Sequence, residues 1–488
     1  MQGSRGTPAF GCAVVAVVVA IAGEAAPADV RDLTELSLEE LMALEVTSVS
    51  RKPEKRSEAA AAIAVVSGDD IRRSGVTSIP EALRMAPGLH VARIASAEWA
   101  VASRGFSSLN SAKLLVLMDG RSIYTPLFSG VFWDVQDTLL EDVDRIEVIR
   151  GPGGTLWGAN AMNGVINVTT KSARETHGAY VEAGGGTEER GFGGFRYGGV
   201  VGRDLHYRIF GKYFERDAIS SEGPDDDWRV GRIGFRTDWD ASPHDVLTVQ
   251  GDLYQGEVGQ VEPSIIIAGR PGPTGELEVD VGGGNLLGRW RRLLGEGSEV
   301  ELQAYYDRTH RDDPTFRDDL DTFDVALQHR TPMPWSQEVI FGVNYRLMAD
   351  DFRGKGLLDL RPAESNDQLV SGFVQDEIAF LDDSLRLTAG TKFEHNDFSA
   401  FEVQPSGRFA WDPRAGQTLW GAISRAVRVP TRIERDAFAE ASPPGEDPLV
   451  LLLGNRSLES EDLLAFELGY RLAVTAELFL DLAGFYNL

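Results

Sequence analysis

From about residue 177 onward, apolar and polar side chains alternate at period two. In one segment Leu205, Tyr207 and Ile209 face one side, whereas His206 and Arg208 face the other. The same alternation recurs over residues 247–253, 300–307, 385–394, 466–472 and 478–486. Segments of about ten residues separated by turn-like clusters are typical of transmembrane β-strands. The pattern therefore predicts an antiparallel transmembrane β-barrel.

The alternative is a soluble β-sandwich or propeller with one solvent-exposed face, because a period of two residues does not exclude it. Aromatic residues stand near the ends of the apolar faces, at Tyr207, Tyr213, Tyr306 and Tyr470. Aromatic girdles of this kind mark the interfaces of membrane barrels. Their positions favour the barrel.

Residues 29–176 have a different pattern, of mixed helices and strands. Leucines at 33, 36, 41 and 44 have helical spacing, and a second helix is predicted from Pro80 to Met85. Strands are predicted at Ile63–Val66, Leu114–Met118, Arg145–Ile149 and Val165–Thr169. The chain thus begins with a small α/β domain placed ahead of the barrel.

The N-terminus has the features of an export signal. Arg5 precedes an apolar run from Ala13 to Ala22, and small residues follow it. The apolar run is shorter than the roughly 20 residues of a spanning helix. We therefore expect residues 1–28 to be a cleaved signal peptide. The only cysteine, Cys12, lies within it, so the mature chain is predicted to fold without disulfides.

Charge and motifs exclude several function classes. The 488 residues include 75 acidic and 48 basic side chains, for a net charge of −27, which would repel a nucleic-acid backbone. Residues 153–158 have the glycine spacing of a phosphate loop but lack its Lys-Ser/Thr, and neither HExxH nor GxSxG is present. The seven histidines are scattered without ligand spacing. We expect no enzyme activity, no cofactor and no metal site.

Two clusters of aspartate residues could indicate cation binding. They are Asp225–Asp227 and the aspartates between Asp312 and Asp324. Carboxylates can bind divalent cations, but this spacing matches no calcium loop. Solvated charge in outward-facing loops is the favoured interpretation.

Four motifs in order resemble the plug domain of TonB-dependent outer-membrane receptors. They are ALRMAPGLHV (82–91), Arg104-Gly105, LLVLMDGRSIY (114–124) and DRIEVIRGPGGTLWGANAMNGVINVTTK (144–171). The resemblance continues in the barrel with residues 419–432 and 454–471. It implies an N-terminal periplasmic segment at 29–58, a plug at 59–176 and the barrel at 177–488.

The resemblance also implies which segment of the chain receives the energy for transport from the periplasmic protein TonB. The extended stretch Glu45, Val46, Thr47, Ser48 and Val49 lies where the family keeps its TonB box. That strand pairs with TonB, which works with ExbB and ExbD, by adding an edge strand. The alternative is an ordinary first strand of the plug.

Further residues are assigned by position in the family. Plug loops that reach the extracellular side and touch ligand correspond to Glu98, Trp99, Ala100, Ser107, Ser108, Asn110, Phe128 and Ser129. Charged residues expected to meet carboxylates on the barrel wall are Arg104, Arg145, Glu147 and Arg150. The alternatives are packing against barrel loops for the first set and solvated strand charges for the second.

Family members close their barrel with 22 strands, whereas residues 177–488 supply only about 14 to 15 at roughly 20 residues per strand and turn. We therefore expect a C-terminally incomplete barrel. The implied function is active import of a scarce ligand by a monomer in outer-membrane lipid. A ferric siderophore is the expected cargo, with cobalamin, haem or a copper complex as alternatives. A nonfunctional remnant, a passive porin and a soluble β-rich protein are the remaining possibilities.

Overall fold

A computed structural model describes residues 45–105, 107, 113–219, 226–260, 277–355, 358–441, 449–475 and 478–488. The predicted signal peptide and the predicted helix at residues 33–44 lie outside these ranges. The first domain contains β1 (Glu45–Val46), β2 (Glu54–Lys55), β3 (Ala62–Ser67), α1 (Gly68–Ser74), α2 (Ile79–Leu83), β4 (Leu89–Ala95), β5 (Glu98–Ser103), β6 (Leu114–Met118), β7 (Arg121–Ser122), β8 (Val143–Arg150), α3 (Gly154–Trp157) and β9 (Gly164–Thr170).

The first domain is built on a five-stranded sheet with the order β3-β8-β9-β6-β7. Strands β6 and β9 are parallel and the other neighbours are antiparallel. The Ser67 side chain caps α1 through a capping box with Asp70, as the sequence Ser-Gly-Asp-Asp favours. No helix in the described residues is long and apolar enough to cross a membrane.

The second domain is almost entirely β-structure. Its elements are β10 (Gly178–Gly184), β11 (Glu189–Val201), β12 (Leu205–Arg216), β13 (Trp228–Asp240), β14 (Asp245–Gln260), β15 (Leu277–Gly295), β16 (Ser298–Asp312), β17 (Phe316–Met333), β18 (Gln337–Gly354), β19 (Leu358–Leu360), β20 (Glu364–Phe380), β21 (Leu385–Asn396), β22 (Ala400–Arg414), β23 (Gln417–Arg428), α4 (Arg432–Asp436), β24 (Ala437–Ala441), β25 (Leu449–Leu453), β26 (Glu461–Ala473) and β27 (Phe479–Asn487).

Fifteen of these strands form one antiparallel sheet that runs from β10 to β27 in chain order, omitting β19, β24 and β25. This count agrees with the 14 to 15 strands that the sequence predicts. The omitted three form a separate small sheet within the long connections. At one end of the large sheet the connections are short, such as residues 202–204 and 415–416, and at the other end they are long, such as 429–460. In outer-membrane barrels short turns are periplasmic and long loops extracellular.

The two faces of the large sheet differ as the alternation predicts. Along β12, Ile209 and Tyr213 are 49% and 50% exposed, whereas Arg208 is 3% exposed. The outer face is therefore apolar, whereas the inner face carries charged residues such as Arg208 together with apolar residues such as Phe214 that pack against the plug. The first domain covers the inner face, where Arg208 donates to Thr170 Oγ1 at 3.0 Å and Lys212 to Asp137 Oδ1 at 2.8 Å.

The first domain has its own apolar core. Ile146, Val148, Ile166 and Val168 on β8 and β9 are fully buried. A tight turn is present at Asp119-Gly120, with φ of 51° and 83° at the two residues. This domain is thus a folded plug inside the wall of strands.

Candidate functional site

The stretch predicted as the TonB box lies against the plug at the short-turn end of the molecule. Strand β1 pairs with β2 through Glu45–Lys55 and Val46–Glu54. Val46 and Val49 are buried in an apolar cluster with Ile63, Leu115 and Ile149 of the plug sheet. Residues 45–49, which we call the N-terminal segment, are therefore packed onto the plug in this structure.

The backbone of the N-terminal segment is held by a buried carboxylate. Glu147 on β8 is 0% exposed, and its Oε2 accepts from the N–H of Thr47 at 3.0 Å and of Ser48 at 2.8 Å. Arg145 Nε donates to Glu147 Oε1 at 2.8 Å, and this pairing raises the pKa of the Arg145 guanidinium against the opposing effect of its burial. Hydrogen bonds to a buried ionised group are among the stronger ones in proteins.

Three further side chains complete this attachment. Trp157 Nε1 donates to the carbonyl oxygen of Ser48 at 2.9 Å, and Asn167 Nδ2 donates to its hydroxyl at 3.1 Å. Arg408 of β22 donates to the carbonyl oxygen of Val49 at 3.2 Å. The backbone N–H groups of Thr47 and Ser48 and the carbonyl groups of Ser48 and Val49 therefore already have hydrogen-bond partners in the plug and the wall. A strand that pairs with this segment would need the same groups, so the segment must first be released.

Charged residues follow the N-terminal segment directly. Lys52 Nζ lies 2.7 Å from Glu338 and 2.8 Å from Glu377, which belong to β18 and β20 near their short turns. Burial raises the pKa of Glu54 to about 7, although Ser50 Oγ donates to its carboxylate at 2.7 Å. The link between segment and plug therefore carries a carboxyl group that titrates near neutral pH.

The four residues predicted to meet barrel carboxylates divide into two groups. Arg104 forms a buried ion pair with Glu467 of β26, and its Nη2 also donates to the carbonyl oxygen of Arg150 at 2.7 Å. Beside this pair Gly151 has φ 128°, and a side chain there would collide with the Glu467 carboxylate. This part of the plug therefore fits closely against the wall.

Arg145 and Glu147 differ from the expectation, whereas the Arg150 guanidinium lies within electrostatic range of the wall carboxylates Asp481 and Glu467. Among the described residues, Arg145 forms ion pairs only with Asp144 and Glu147, both in the plug. Glu147 faces the N-terminal segment because it lies in the central part of the plug sheet, next to β3 and β9. Arg150 touches the Arg104 site through its carbonyl group.

The residues predicted to touch ligand are mostly buried. Glu98, Trp99 and Ala100 lie on β5 of a β4–β5 hairpin that the sequence analysis placed in a loop. Trp99 is 3% exposed; its Nε1 donates to Glu81 Oε1 at 2.8 Å and its ring meets Trp228 of the wall edge-on. Ser107 is exposed and hydrogen-bonds His90 at 3.0 Å. Ser108 and Asn110 lie outside the described residues.

Phe128 and Ser129 lie beneath a cover made by the long connections. Phe128 packs with Leu358 and Leu360 of β19, and with Phe316 and Phe352 of the wall. The backbone N–H of Arg432 donates to Pro126 at 3.0 Å, and that of Ile433 to Leu127 at 3.1 Å. Residues of the second domain therefore cover residues 126–128 of the plug in this structure.

This cover depends on residues that the sequence analysis did not single out. Arg432 on α4 is fully buried; its Nε donates to Asp350 Oδ2 at 2.9 Å and its guanidinium also binds Asp436. The only sequence signal was the run at 419–432, quoted for family resemblance. A charged residue that closes a loop over a distant strand cannot be recognised from period two.

The aspartates between Asp312 and Asp324 lie mainly on β17, which corrects the loop interpretation. Basic residues on the neighbouring strand face them: His310 Nδ1 lies 2.7 Å from Asp319, and Arg308 Nη1 lies 3.1 Å from Asp321. A cross-strand ion pair accounts for the position of Asp321, and a cross-strand hydrogen bond with His310 accounts for that of Asp319. Within the described residues, no cluster of three or more His, Cys, Asp or Glu side chains could hold a metal ion.

Known protein families and structures have the same two-domain arrangement. Residues 55–165 match the model of the TonB-dependent receptor plug domain, and residues 174–488 match that of the TonB-dependent receptor-like β-barrel. An iron-regulated outer membrane virulence protein of Vibrio cholerae is 24% identical over 447 residues, covering 88% of this chain and 66% of that protein. The vitamin B12 transporter BtuB of Vibrio vulnificus is 30% identical over 188 residues, covering 37% of this chain and 29% of that one.

Solved structures share the fold. The ferric enterobactin receptor PfeA of Pseudomonas aeruginosa matches with a TM-score of 0.72 at 17% identity, covering 88% of this chain and 71% of that one. The siderophore receptor PirA of the same species has a TM-score of 0.67 at 19% identity, covering 87% and 74%. The chain spans about two thirds of the length of the curated Vibrio cholerae relative.

A plug held by ion pairs inside a sheet with an apolar outer face defines the class of plugged outer-membrane receptors. Both domains match the same family in the expected order. The chain therefore belongs to the TonB-dependent receptor family.

Proposed function

We propose that this chain serves active import across the outer membrane, with a ferric siderophore as the cargo. The observation that carries the proposal is the attachment of residues 45–49 to the plug at the short-turn end, where Glu147 accepts from the N–H of Ser48 at 2.8 Å. A β-prone segment held by reversible polar contacts suits a strand that a periplasmic partner withdraws.

The proposed mechanism is an exchange of hydrogen-bond partners. TonB pairs with residues 45–49 by strand addition, and its main chain replaces the contacts that Glu147, Trp157 and Arg408 supply to this backbone. Energy from the proton motive force, delivered through ExbB and ExbD, then pulls the segment and displaces part of the plug. In the resting state the plug blocks passive flow, because its side chains bind the wall on many strands.

Cargo identity is inferred from relatives. The Vibrio cholerae relative is an iron-regulated outer membrane protein, and the solved structures of similar fold include siderophore receptors. Cobalamin is the second candidate, because the 188-residue match to a vitamin B12 transporter has the higher identity, 30%. The signal peptide at 1–28 and a monomeric state in outer-membrane lipid are part of the same proposal.

The test is uptake by Gram-negative cells that lack their own ferric enterobactin and cobalamin receptors. Cells expressing the chain receive radiolabelled ferric enterobactin or radiolabelled cobalamin. Val46→Pro removes a backbone N–H from the segment and Val46→Ala serves as the matched control, because both lose the buried valine side chain but only proline blocks strand pairing.

We expect one of the two ligands to bind cells carrying either variant, with uptake lost only in Val46→Pro. Uptake that continues in cells without TonB would instead support a passive porin. Recovery of the folded chain in buffer without detergent would support a soluble β-rich protein. Absence of both binding and uptake for the unmodified chain would favour a nonfunctional remnant.

A further inference from the structure

A cavity of about 120 Å³ lies between the plug and the wall. The plug contributes Arg51, Tyr124 and Trp157 to its lining, and the wall contributes Arg346, Lys392 and Glu394. Apolar residues such as Leu115, Met348 and Phe398 make up about half of the full lining, and these charged side chains stand among them. The cavity therefore differs from an apolar packing defect, which would stay empty of polar ligands.

Among the described residues, Lys392 of β21 forms no direct ion pair, although Glu394 on the same strand favours its charged form electrostatically. The residue is 4% exposed, and within the described parts of the chain neither a hydrogen bond nor an ion pair reaches its ammonium group. The centroid of the Phe373 ring lies 5.9 Å from Lys392 Nζ. A buried ammonium without a counter-ion is energetically costly.

Arg51 brings a second cation to the same ring. Its guanidinium carbon lies 4.8 Å from the Phe373 centroid and 4.5 Å from that of Trp157. Nη1 donates to Gln328 at 3.2 Å and Nη2 to the carbonyl oxygen of Leu156 at 2.8 Å, whereas the buried Nε has no partner among the described residues. Burial lowers the pKa of Arg51 to about 10, so it stays charged at neutral pH.

The two carboxylates in the lining accept hydrogen bonds from neighbouring lining residues. Asp324 accepts from Arg346 Nε at 2.8 Å and from Asn344 Nδ2 at 3.0 Å. Glu394 accepts from the backbone N–H of Ala159 at 3.3 Å and from a neighbouring asparagine side chain. Three cations and two carboxylates therefore line the cavity: Asp324 pairs with Arg346, and Glu394 stands against Arg51 and Lys392, which leaves an excess of one positive charge.

We propose that this cavity is a binding site for a small oxyanion, a phosphate or a carboxylate group, held between Arg51 of the plug and Lys392 of the wall. The volume corresponds to about four waters at liquid density, which suits a phosphate ion or one carboxylate group of a larger molecule and is too small for a whole ferric chelate. The proposal does not depend on the cargo, because it rests on the closed structure alone.

The site links the N-terminal segment to the wall. Arg51 follows that segment by two residues, so its withdrawal would remove one side of the anion site. A bound anion therefore stabilises the attached segment, whereas an empty site leaves two like charges near one ring and favours release.

Isothermal titration of the purified full chain in detergent tests the site with two probes. Inorganic phosphate represents a free anion, and citrate represents the carboxylates of a chelator. The variants are Lys392→Met, which keeps the length of the side chain without its charge, and Lys392→Arg, which keeps the charge. Lys355→Met is the matched control, since Lys355 pairs with Asp312 outside the cavity.

We expect at least one probe to bind, with affinity at least about tenfold weaker in Lys392→Met and nearly unchanged in Lys392→Arg and Lys355→Met. Binding of phosphate alone or citrate alone would identify the source of the anion. If neither probe binds, or if Lys392→Met binds as the unmodified chain does, the proposal is wrong. If Lys392→Met does not fold, loss of binding in Arg51→Gln decides the matter in the same way.

Discussion

The carboxylate of Glu147 accepts a hydrogen bond of 2.8 Å from the backbone N–H of Ser48. The two residues are 99 positions apart, and both are buried. The contact joins the N-terminal segment to the central part of the plug sheet. The strength of the attachment can therefore be tested by substituting Glu147.

Glu147→Gln is predicted to release the N-terminal segment. The substitution removes the charge and places an amide group near the N–H donors of Thr47 and Ser48, so we expect the attachment to weaken by about 1.5 to 3 kcal/mol. A nitroxide label on Glu45→Cys, with Cys12 replaced by Ser, reports segment mobility through its spectrum. Glu45 is exposed, so the label does not disturb the packing.

Asp144→Asn is the control for this experiment. Asp144 also pairs with Arg145, but it contacts none of residues 45–49 within the described chain. Its label spectrum is expected to match that of the parent. Equal mobility in the two variants would show that Glu147 does not hold the segment.

The attachment is also predicted to weaken as the pH rises. Burial raises the pKa of Glu54 to about 7 from its usual 4.5. Because Glu54 pairs with Val46 of the N-terminal segment, the attached state keeps a proton that Glu54 loses between these pH values when the segment is released. The attached state is therefore most stable below pH 4.5 and loses up to about 3 kcal/mol as the pH rises to 7. Label mobility between pH 5 and 8 should increase accordingly.

Two glutamine variants separate Glu54 from its neighbours. Glu54→Gln should remove most of this pH dependence. In Glu58, hydrogen bonds from Arg386 and Lys55 outweigh burial and lower the pKa, so its contribution is lost only below about 4.5. Glu58→Gln should therefore retain the slope between pH 5 and 8. A slope that persists in Glu54→Gln would assign the titration to another group.

Local patterns predicted much of the fold. Strand β6 has the bounds predicted for it, and Ser67 caps α1 as its spacing indicates. Exposure alternates along β12 because a sheet with one lipid-facing side forces its side chains into two classes. These features depend on neighbours in sequence or on a simple period.

Contacts between residues far apart in the sequence could not be predicted from these local patterns. Glu147 was expected to face the wall, yet it binds residues about 100 positions earlier. The β4–β5 hairpin was taken for a loop, although its residues pack against the wall at Trp228. A single sequence shows which face of a strand is polar but not which partner covers it.

The cover over the plug predicts a stability effect at Phe128. This side chain is 7% exposed in the cluster with Phe316 and Phe352, so Phe128→Ala should destabilise the cover by about 3 to 5 kcal/mol. Hydrogen exchange of residues 124–130 should accelerate. Leu381→Ala, at a site 69% exposed, is the control and should leave this exchange unchanged. Unchanged exchange in Phe128→Ala would mean that the cover does not depend on this ring.

The ion pair between Arg104 and Glu467 predicts a non-additive result. Both side chains are 7% exposed, so Arg104→Met or Glu467→Leu alone leaves a buried charge without its partner and should destabilise the chain by about 3 to 5 kcal/mol. The double variant replaces both charges with apolar groups and should recover most of that loss, since a buried pair contributes little beyond its apolar replacement. Urea unfolding in detergent, followed by tryptophan fluorescence, gives the four free energies of the cycle. Additive losses would contradict a direct pairing, because independent sites show no coupling energy.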